Sequence, residues 1–167
     1  ELIGTNNARI GGSNPAERNI MGYCASSCVK LSGDTTSDTV NTYILGNNFG
    51  VGADNITNIS RTTLGFNPSA VSVFIDSGTK QTHIGGLNGG DRNVFSHTVG
   101  NHIYARDSTD LTIQGNLLSM AFYYSESASS ILLEGVSGAL IGGDSPEASN
   151  TIVGRPTQLE MAMHPIR

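Results

Sequence analysis

The chain has 167 residues, enough for one domain of ordinary size. Its net charge is −5, its only lysines are Lys30 and Lys80, and its seven arginines are scattered, so no basic stripe exists for nucleic acid or an anionic membrane surface. It contains no run of 18 apolar residues, so no segment reads as membrane-spanning.

Gly, Ser, Thr and Asn are abundant and charges are few, but short apolar triplets recur throughout, which separates this composition from that of a disordered chain. The pattern predicts many short strands joined by tight turns. Leu2-Ile3-Gly4 already reads as strand and turn, as if the sequence opened partway through a repeat. No signal peptide is visible. The chain therefore reads as a mature or proteolysed piece of a longer solenoid.

Next comes a phrase that is written three times. Ile10-Gly11-Gly12 is followed by Asn19, Ile84-Gly85-Gly86 by Asn93, and Ile141-Gly142-Gly143 by Asn150, each Asn nine residues after its Ile. The gap from Ile10 to Ile84 is longer than the gap from Ile84 to Ile141, yet the local offset is fixed. Fixed local spacing with tolerated insertions is the mark of stacked coils. The three Ile residues are expected in one inward column. Ile20 and Val94 are expected in a second column, with Ile152 close to it. Gly11, Gly12, Gly85, Gly86, Gly142 and Gly143 supply sharp turns. Asn19, Asn93 and Asn150 are read as corner residues whose amides satisfy backbone groups, as are the Asn of Gly46-Asn47 and Gly115-Asn116. Arg18 and Arg92 recur with the phrase and are expected to bond corner carbonyls.

Cys24 and Cys28 are the only cysteines. In an extended strand their Cα atoms would lie roughly 13 Å apart, too far for a bridge. A disulfide requires a turn through Ala25-Ser26-Ser27, and free thiols are the alternative. Two Cys without a nearby His pair make a poor zinc site, and no metal or cofactor is expected. Residues 50–67 fit the rhythm least and read as a corner extension. They carry two formal glycosylation sequons, at Asn55 and Asn58.

The middle of the chain reads most clearly as strands: Asn93-Val94-Phe95, His102-Ile103-Tyr104, Leu111-Thr112-Ile113, Asn116-Leu117-Leu118, Phe122-Tyr123-Tyr124 and Ile131-Leu132-Leu133. Three short coils fit between Ile84 and Ile141 and three longer ones between Ile10 and Ile84, which predicts about seven coils in all. Stacked, they would make a rod roughly 30–35 Å long. The module is expected over residues 1–154. Residues 155–167, with two prolines, break the pattern and read as a C-terminal tail or cap.

Ile10 through Arg18-Asn19-Ile20 and Ile84 through Arg92-Asn93-Val94 resemble the right-handed parallel β-helix, or pectin-lyase-like, superfamily. They are most similar to its Asn- and Gly-rich repeat proteins of bacterial surfaces and viral fibres. The resemblance covers about residues 3–154; in the third copy Ser149 stands in place of the Arg. It implies an all-β solenoid with an extracellular, cell-surface or virion location. It also implies two functions. One is a structural module that joins other segments of the same protein, or a homo-oligomer, along the solenoid, with an adhesive or polysaccharide-contacting flank. The other is a polysaccharide lyase or glycoside hydrolase.

Such enzymes need clustered or paired carboxylates, and none is evident in the sequence. The stretch from His83 to Asp107 holds the best candidates: Asp91 or Asp107 as acid, and His97 or His102 as base. Tyr104, Tyr123 and Tyr124 are candidates for a sugar-contacting stripe, although adjacent Tyr123 and Tyr124 must point to opposite faces of a strand. Every repeated residue has a backbone or core role, so the sequence favours shape over turnover.

Overall fold

The structure is a computed structural model and describes residues 1–59, 71–98, 100–119 and 129–153. Its strands form successive coils, and each coil gives one strand to each of three sheets. The first coil holds β1 (Leu2–Ile3), β2 (Arg9–Gly11) and β3 (Ile20–Met21). The second holds β4 (Ser27–Ser32), β5 (Thr39–Leu45) and β6 (Asn48–Phe49). The third holds β7 (Val71–Ile75), β8 (Thr79–Gly85) and β9 (Val94–Phe95). The fourth holds β10 (Ile103–Arg106), β11 (Thr112–Gln114) and β12 (Leu117–Ser119), and the fifth β13 (Ile131–Glu134), β14 (Leu140–Ile141) and β15 (Thr151–Val153).

The sheet orders are β1-β4-β7-β10-β13 (sheet A), β2-β5-β8-β11-β14 (sheet B) and β3-β6-β9-β12-β15 (sheet C), and every neighbouring pair is parallel. This is an all-β, right-handed parallel β-helix, the hand that parallel crossovers adopt.

The described residues form five coils, not seven. At one rung per strand spacing, the first and last rungs lie about 20 Å apart. The overcount has a physical cause. Ile10, Ile44, Ile84, Ile113 and Ile141 are in register across sheet B, so each step along that series is one full coil. A coil has three sides and three corners, which needs more chain than the expected spacing allowed. The written repeat spans two coils, because alternate coils shorten the phrase. In coils one, three and five the chain leaves the rung between sheets B and C for a single 3-10 turn, at Pro15–Glu17, Gly89–Asp91 and Pro146–Ala148. In coils two and four it cuts straight across, and the offset from Ile to Asn falls from nine to three, as in Ile44–Asn47 and Ile113–Asn116.

The core is a set of stacked columns. Ile44, Ile84 and Ile113 are fully buried, each contributing about 2–3 kcal/mol of burial. A second column runs Met21, Phe49, Phe95, Leu118, Ile152, with the Phe49 and Phe95 rings stacked at 4.7 Å. Sheet A adds Leu31, Val73, Ile75, Ile103 and Ala105.

Two expectations need correction here. Ile20 and Val94 belong to the neighbouring register row, with Asn48, Leu117 and Thr151. A strand alternates faces, so inward Met21 and Phe95 put Ile20 and Val94 on the outer side, where Ile20 is 47 % exposed while Val94 is still buried. Ile152 lies not with Ile20 and Val94 but in the Met21–Phe95 column, and in the last described rung it is 53 % exposed. Ile141 is in its expected column but is 48 % exposed, because it lies in the last rung of the described residues.

Candidate functional site

The corner between sheets B and C is lined by a continuous amide ladder. The side-chain N–H of Asn19 donates to Oδ1 of Asn47 at 2.9 Å, Asn47 to Asn93 at 3.2 Å, Asn93 to Asn116 at 3.0 Å, and Asn116 to Asn150 at 3.1 Å. Each Oδ1 also accepts the backbone N–H of the Asn one rung earlier. The second amide proton reaches the backbone carbonyl of the earlier coil's Ile, from Asn47 to Ile10, Asn93 to Ile44, Asn116 to Ile84 and Asn150 to Ile113. Asn47, Asn93 and Asn116 are fully buried, so these bonds meet the requirement that buried polar groups be paired.

The long corners are braced in the same repeating way. Nε of Arg18 donates to the Gly46 carbonyl and Nε of Arg92 to the Gly115 carbonyl, each at 3.2 Å. The Gly46 N–H in turn donates to the Asp91 carbonyl at 2.9 Å, and the Gly115 N–H to the Ala148 carbonyl at 3.2 Å. Gly85 has φ +74°, and a Cβ there would meet the Gln114 carbonyl at 2.1 Å, so no other residue fits.

The four residues considered for acid and base roles are distributed over three corners of the coil. Asp91 lies at the B–C corner, 5 % exposed, where its carboxylate accepts from the Asn88 backbone N–H at 3.1 Å, from the Asn88 amide at 2.9 Å and from the Ser13 hydroxyl. This is a capping role. Asp107 lies at the A–B corner in the left-handed region, φ 48°, which suits a turn Asp. His97 and His102 lie at the C–A corner. The His97 Nδ1 bonds the Ser96 hydroxyl at 2.8 Å. His102 is 2 % exposed, and its Nε2 donates to the Ser119 carbonyl at 2.9 Å. Burial pushes its pKa down to about 4, only partly offset by that carbonyl, so it is a neutral imidazole wedged against Phe95. Asp91, Asp107 and the two histidines therefore do not share a face.

On the outer face of sheet A, Lys30, Phe74, Tyr104 and Leu132 form one row. Phe74 and Tyr104 stack at 5.1 Å. The Tyr104 hydroxyl donates to Glu134 at 2.6 Å, which raises its pKa. Arg106 lies over Phe74 and forms a two-pronged bond to Asp76 at 2.7 and 3.1 Å, holding that carboxyl below the usual range. Rings stacked one rung apart have their planes across the solenoid axis, so Tyr104 offers an edge and its hydroxyl to the outside. Tyr123 and Tyr124 lie outside the described residues.

Sheet B carries an open depression of about 480 Å³ whose lining includes Asn41, Gln81, His83, Asp110, Gly138 and Leu140. Asn41, Gln81, Asp110 and Gly138 all have positive φ and turn the chain at the same corner of successive coils. His83 stacks on Tyr43 at 4.6 Å, and burial lowers its pKa. Sequence reading missed this surface. Its members come from four successive coils and lie far apart along the chain, and only the register brings them together.

Cys24 and Cys28 are joined by a disulfide across a turn with a Cα separation of 5.2 Å. Among the described residues no three His, Cys, Asp or Glu side chains gather as a metal centre would require. None of their helices is long and apolar enough to cross a membrane. In the extension after β6, Asp54 accepts from the Thr57 hydroxyl and from the Thr57 and Ile56 backbone N–H groups, and its pKa falls to about 2. Asn48 donates to Asn55 there at 2.9 Å. No protein-family model, curated protein or solved structure matches this chain.

Proposed function

We propose that this chain is a structural module of an extracellular surface protein, appendage or virion fibre, whose work is to supply a stiff, protease-resistant shaft. The observation that carries this reading is the amide ladder. The most regular polar residues of the sequence are consumed in bracing one rung to the next, and the candidate acids and bases are separated at different corners. The Cys24–Cys28 disulfide supports an oxidising compartment. The partners would be other segments of the same protein, or further copies joined along the axis through an intervening rung. The Tyr104 edge and the sheet B depression would form a flank able to contact polysaccharide.

The second reading, a pectin-lyase-like enzyme acting on polysaccharide, draws on one observation. His83 and Asp110 are the imidazole and carboxylate that line the depression. A reducing-sugar and unsaturated-product assay over a panel of neutral and acidic polysaccharides separates the two readings. The structural module releases no product. Turnover that disappears in both His83→Ala and Asp110→Ala would establish the enzyme instead.

A further inference from the structure

The two-coil rhythm makes the ends of the solenoid selective. The long corner is thicker along the axis than one rung. The corners of coils one and three already touch, although coil two lies between them: the Ser13 hydroxyl bonds Asp91, and a Cβ on Gly90 would meet the Ser13 carbonyl at 2.0 Å. The short corner at Gly46 fits between them, where its own Cβ would meet the Gly12 carbonyl at 2.2 Å and the Gly90 carbonyl at 2.8 Å. Long corners therefore need two rungs, about 9.6 Å, and cannot stack on adjacent rungs.

The first coil carries a long corner. Its outer face is an open depression of about 670 Å³ whose lining includes Leu2, Ile10, Met21, Val29, Glu17 and Asn19. Leu2, Ile10, Met21 and Val29 supply its apolar part, Glu1, Arg9 and Lys30 add charged groups to the lining, and two acceptors stand at the B–C corner. Oδ1 of Asn19 occupies the place where each later Asn receives two N–H bonds from the rung before it. The Glu17 carbonyl occupies the place where Asp91 and Ala148 accept the N–H of Gly46 and Gly115. Among the described residues no donor stands opposite either one.

We propose that this end of the solenoid is a docking site for one kind of partner: a parallel β-rung with a short corner, of the form apolar–X–Gly–Asn seen at Ile44–Asn47 and Ile113–Asn116. Its Gly N–H would donate to the Glu17 carbonyl, its Asn would donate to Asn19, and its apolar residue would cover Ile10. A second copy of this chain stacked directly through its fifth coil does not fit, because that coil also carries a long corner. The proposal rests on the structural reading above and specifies which rung can extend the shaft.

The test fuses rungs to the amino end of the full chain. One fusion adds a copy of residues 103–131, a short-corner rung with its natural connection to a long one. The other adds a copy of residues 71–103, a long-corner rung with its own connection. Leu133 and Ala105 are both in the Leu2 column, so both fusions meet Glu1 in register. Limited proteolysis with mass spectrometry and thermal melting are the readouts, with the unfused chain as reference.

The short-rung fusion should be protected on the order of tenfold longer than the long-rung fusion and should melt as one transition about 5 °C above the reference. Changing Asn116→Ala in the added copy alone should abolish that protection. Equal protection of both fusions, or none of the short rung, overturns the proposal, and so does an end-to-end dimer of the unfused chain by light scattering. Product release in the polysaccharide assay would count against the structural reading alone, since the stacking readouts do not depend on it.

Discussion

Coils three and five carry nearly the same phrase and meet different fates. In coil three Ile84 is fully buried, Asn93 is fully buried, and Gly85 is pressed against the Gln114 carbonyl. In coil five Ile141 is 48 % exposed, Asn150 is half-buried, and the nearest atom to a Cβ on Gly142 is 3.9 Å away. The residues are the same and the backbone turn is the same, with φ of +74° and +80° at the two glycines. What differs is whether, among the described residues, a rung lies on both sides. In a solenoid, burial is supplied by neighbours and not by the coil itself, so the cost of a substitution should follow rung position more closely than residue type.

The largest expected effect breaks the comparison at its hydrophobic position. Ile84→Asp places an unpaired charge in a closed column and should unfold the module, a loss of about 4 kcal/mol or more. Ile141→Asp should leave a cooperative urea transition weakened by about 1–2 kcal/mol, since its carboxylate can stay hydrated. Equal losses at the two sites would mean that the end rung is covered in solution.

The amide ladder sharpens the same contrast. The Asn93 side chain makes four hydrogen bonds, to Asn47 twice, to Asn116 and to the Ile44 carbonyl. Asn93→Ala leaves buried groups unpaired and should cost about 3 kcal/mol. Asn150 makes three such bonds but at a half-buried site where water can substitute. Asn150→Ala should cost about 1 kcal/mol by the same denaturation measurement.

A pH titration reads the most local effect, that of one buried side chain. His102 is buried as the neutral form, with its pKa lowered from 6.5 to about 4. The unfolded chain therefore binds the proton more tightly. Stability is full above about pH 6.5 and falls as the pH drops toward 4, by roughly 2–3 kcal/mol if this group acts alone. Urea midpoints at pH 7 and pH 4.5 measure the loss, and His102→Gln should flatten it. His83 is half-buried on the outer face, so His83→Gln should leave most of the slope in place.

Much of the fold was legible because a β-helix repeats its turn chemistry in sequence. Ile-Gly-Gly with an Asn nine residues on identified stacked coils, and the recurrence of Arg18 and Arg92 pointed to their carbonyl partners. The number of coils was not legible. Coils two and four write the phrase in its short form, Ile44 to Asn47 and Ile113 to Asn116, and nothing local says that an offset of three and an offset of nine occupy the same corner. The side of each strand was misjudged at Ile20 and Val94, because in a two-residue strand alternation has too few positions to fix its phase. The disulfide was left open because it depends on the turn between Cys24 and Cys28.

The sequence by itself determined which residues turn the chain, which can fill an apolar column and which amides can chain together, since these are properties of individual side chains and short spacings. Only the tertiary structure decided the register between rungs, whose paired strands are distant along the chain. That register separated Asp91, Asp107, His97 and His102 over three corners, gathered Asn41, Gln81, His83 and Asp110 around one depression, and left Asn19 and Ile141 on opposite end rungs. The physical reason is that strand pairing acts between coils, and its partners are chosen by the whole stack closing on itself.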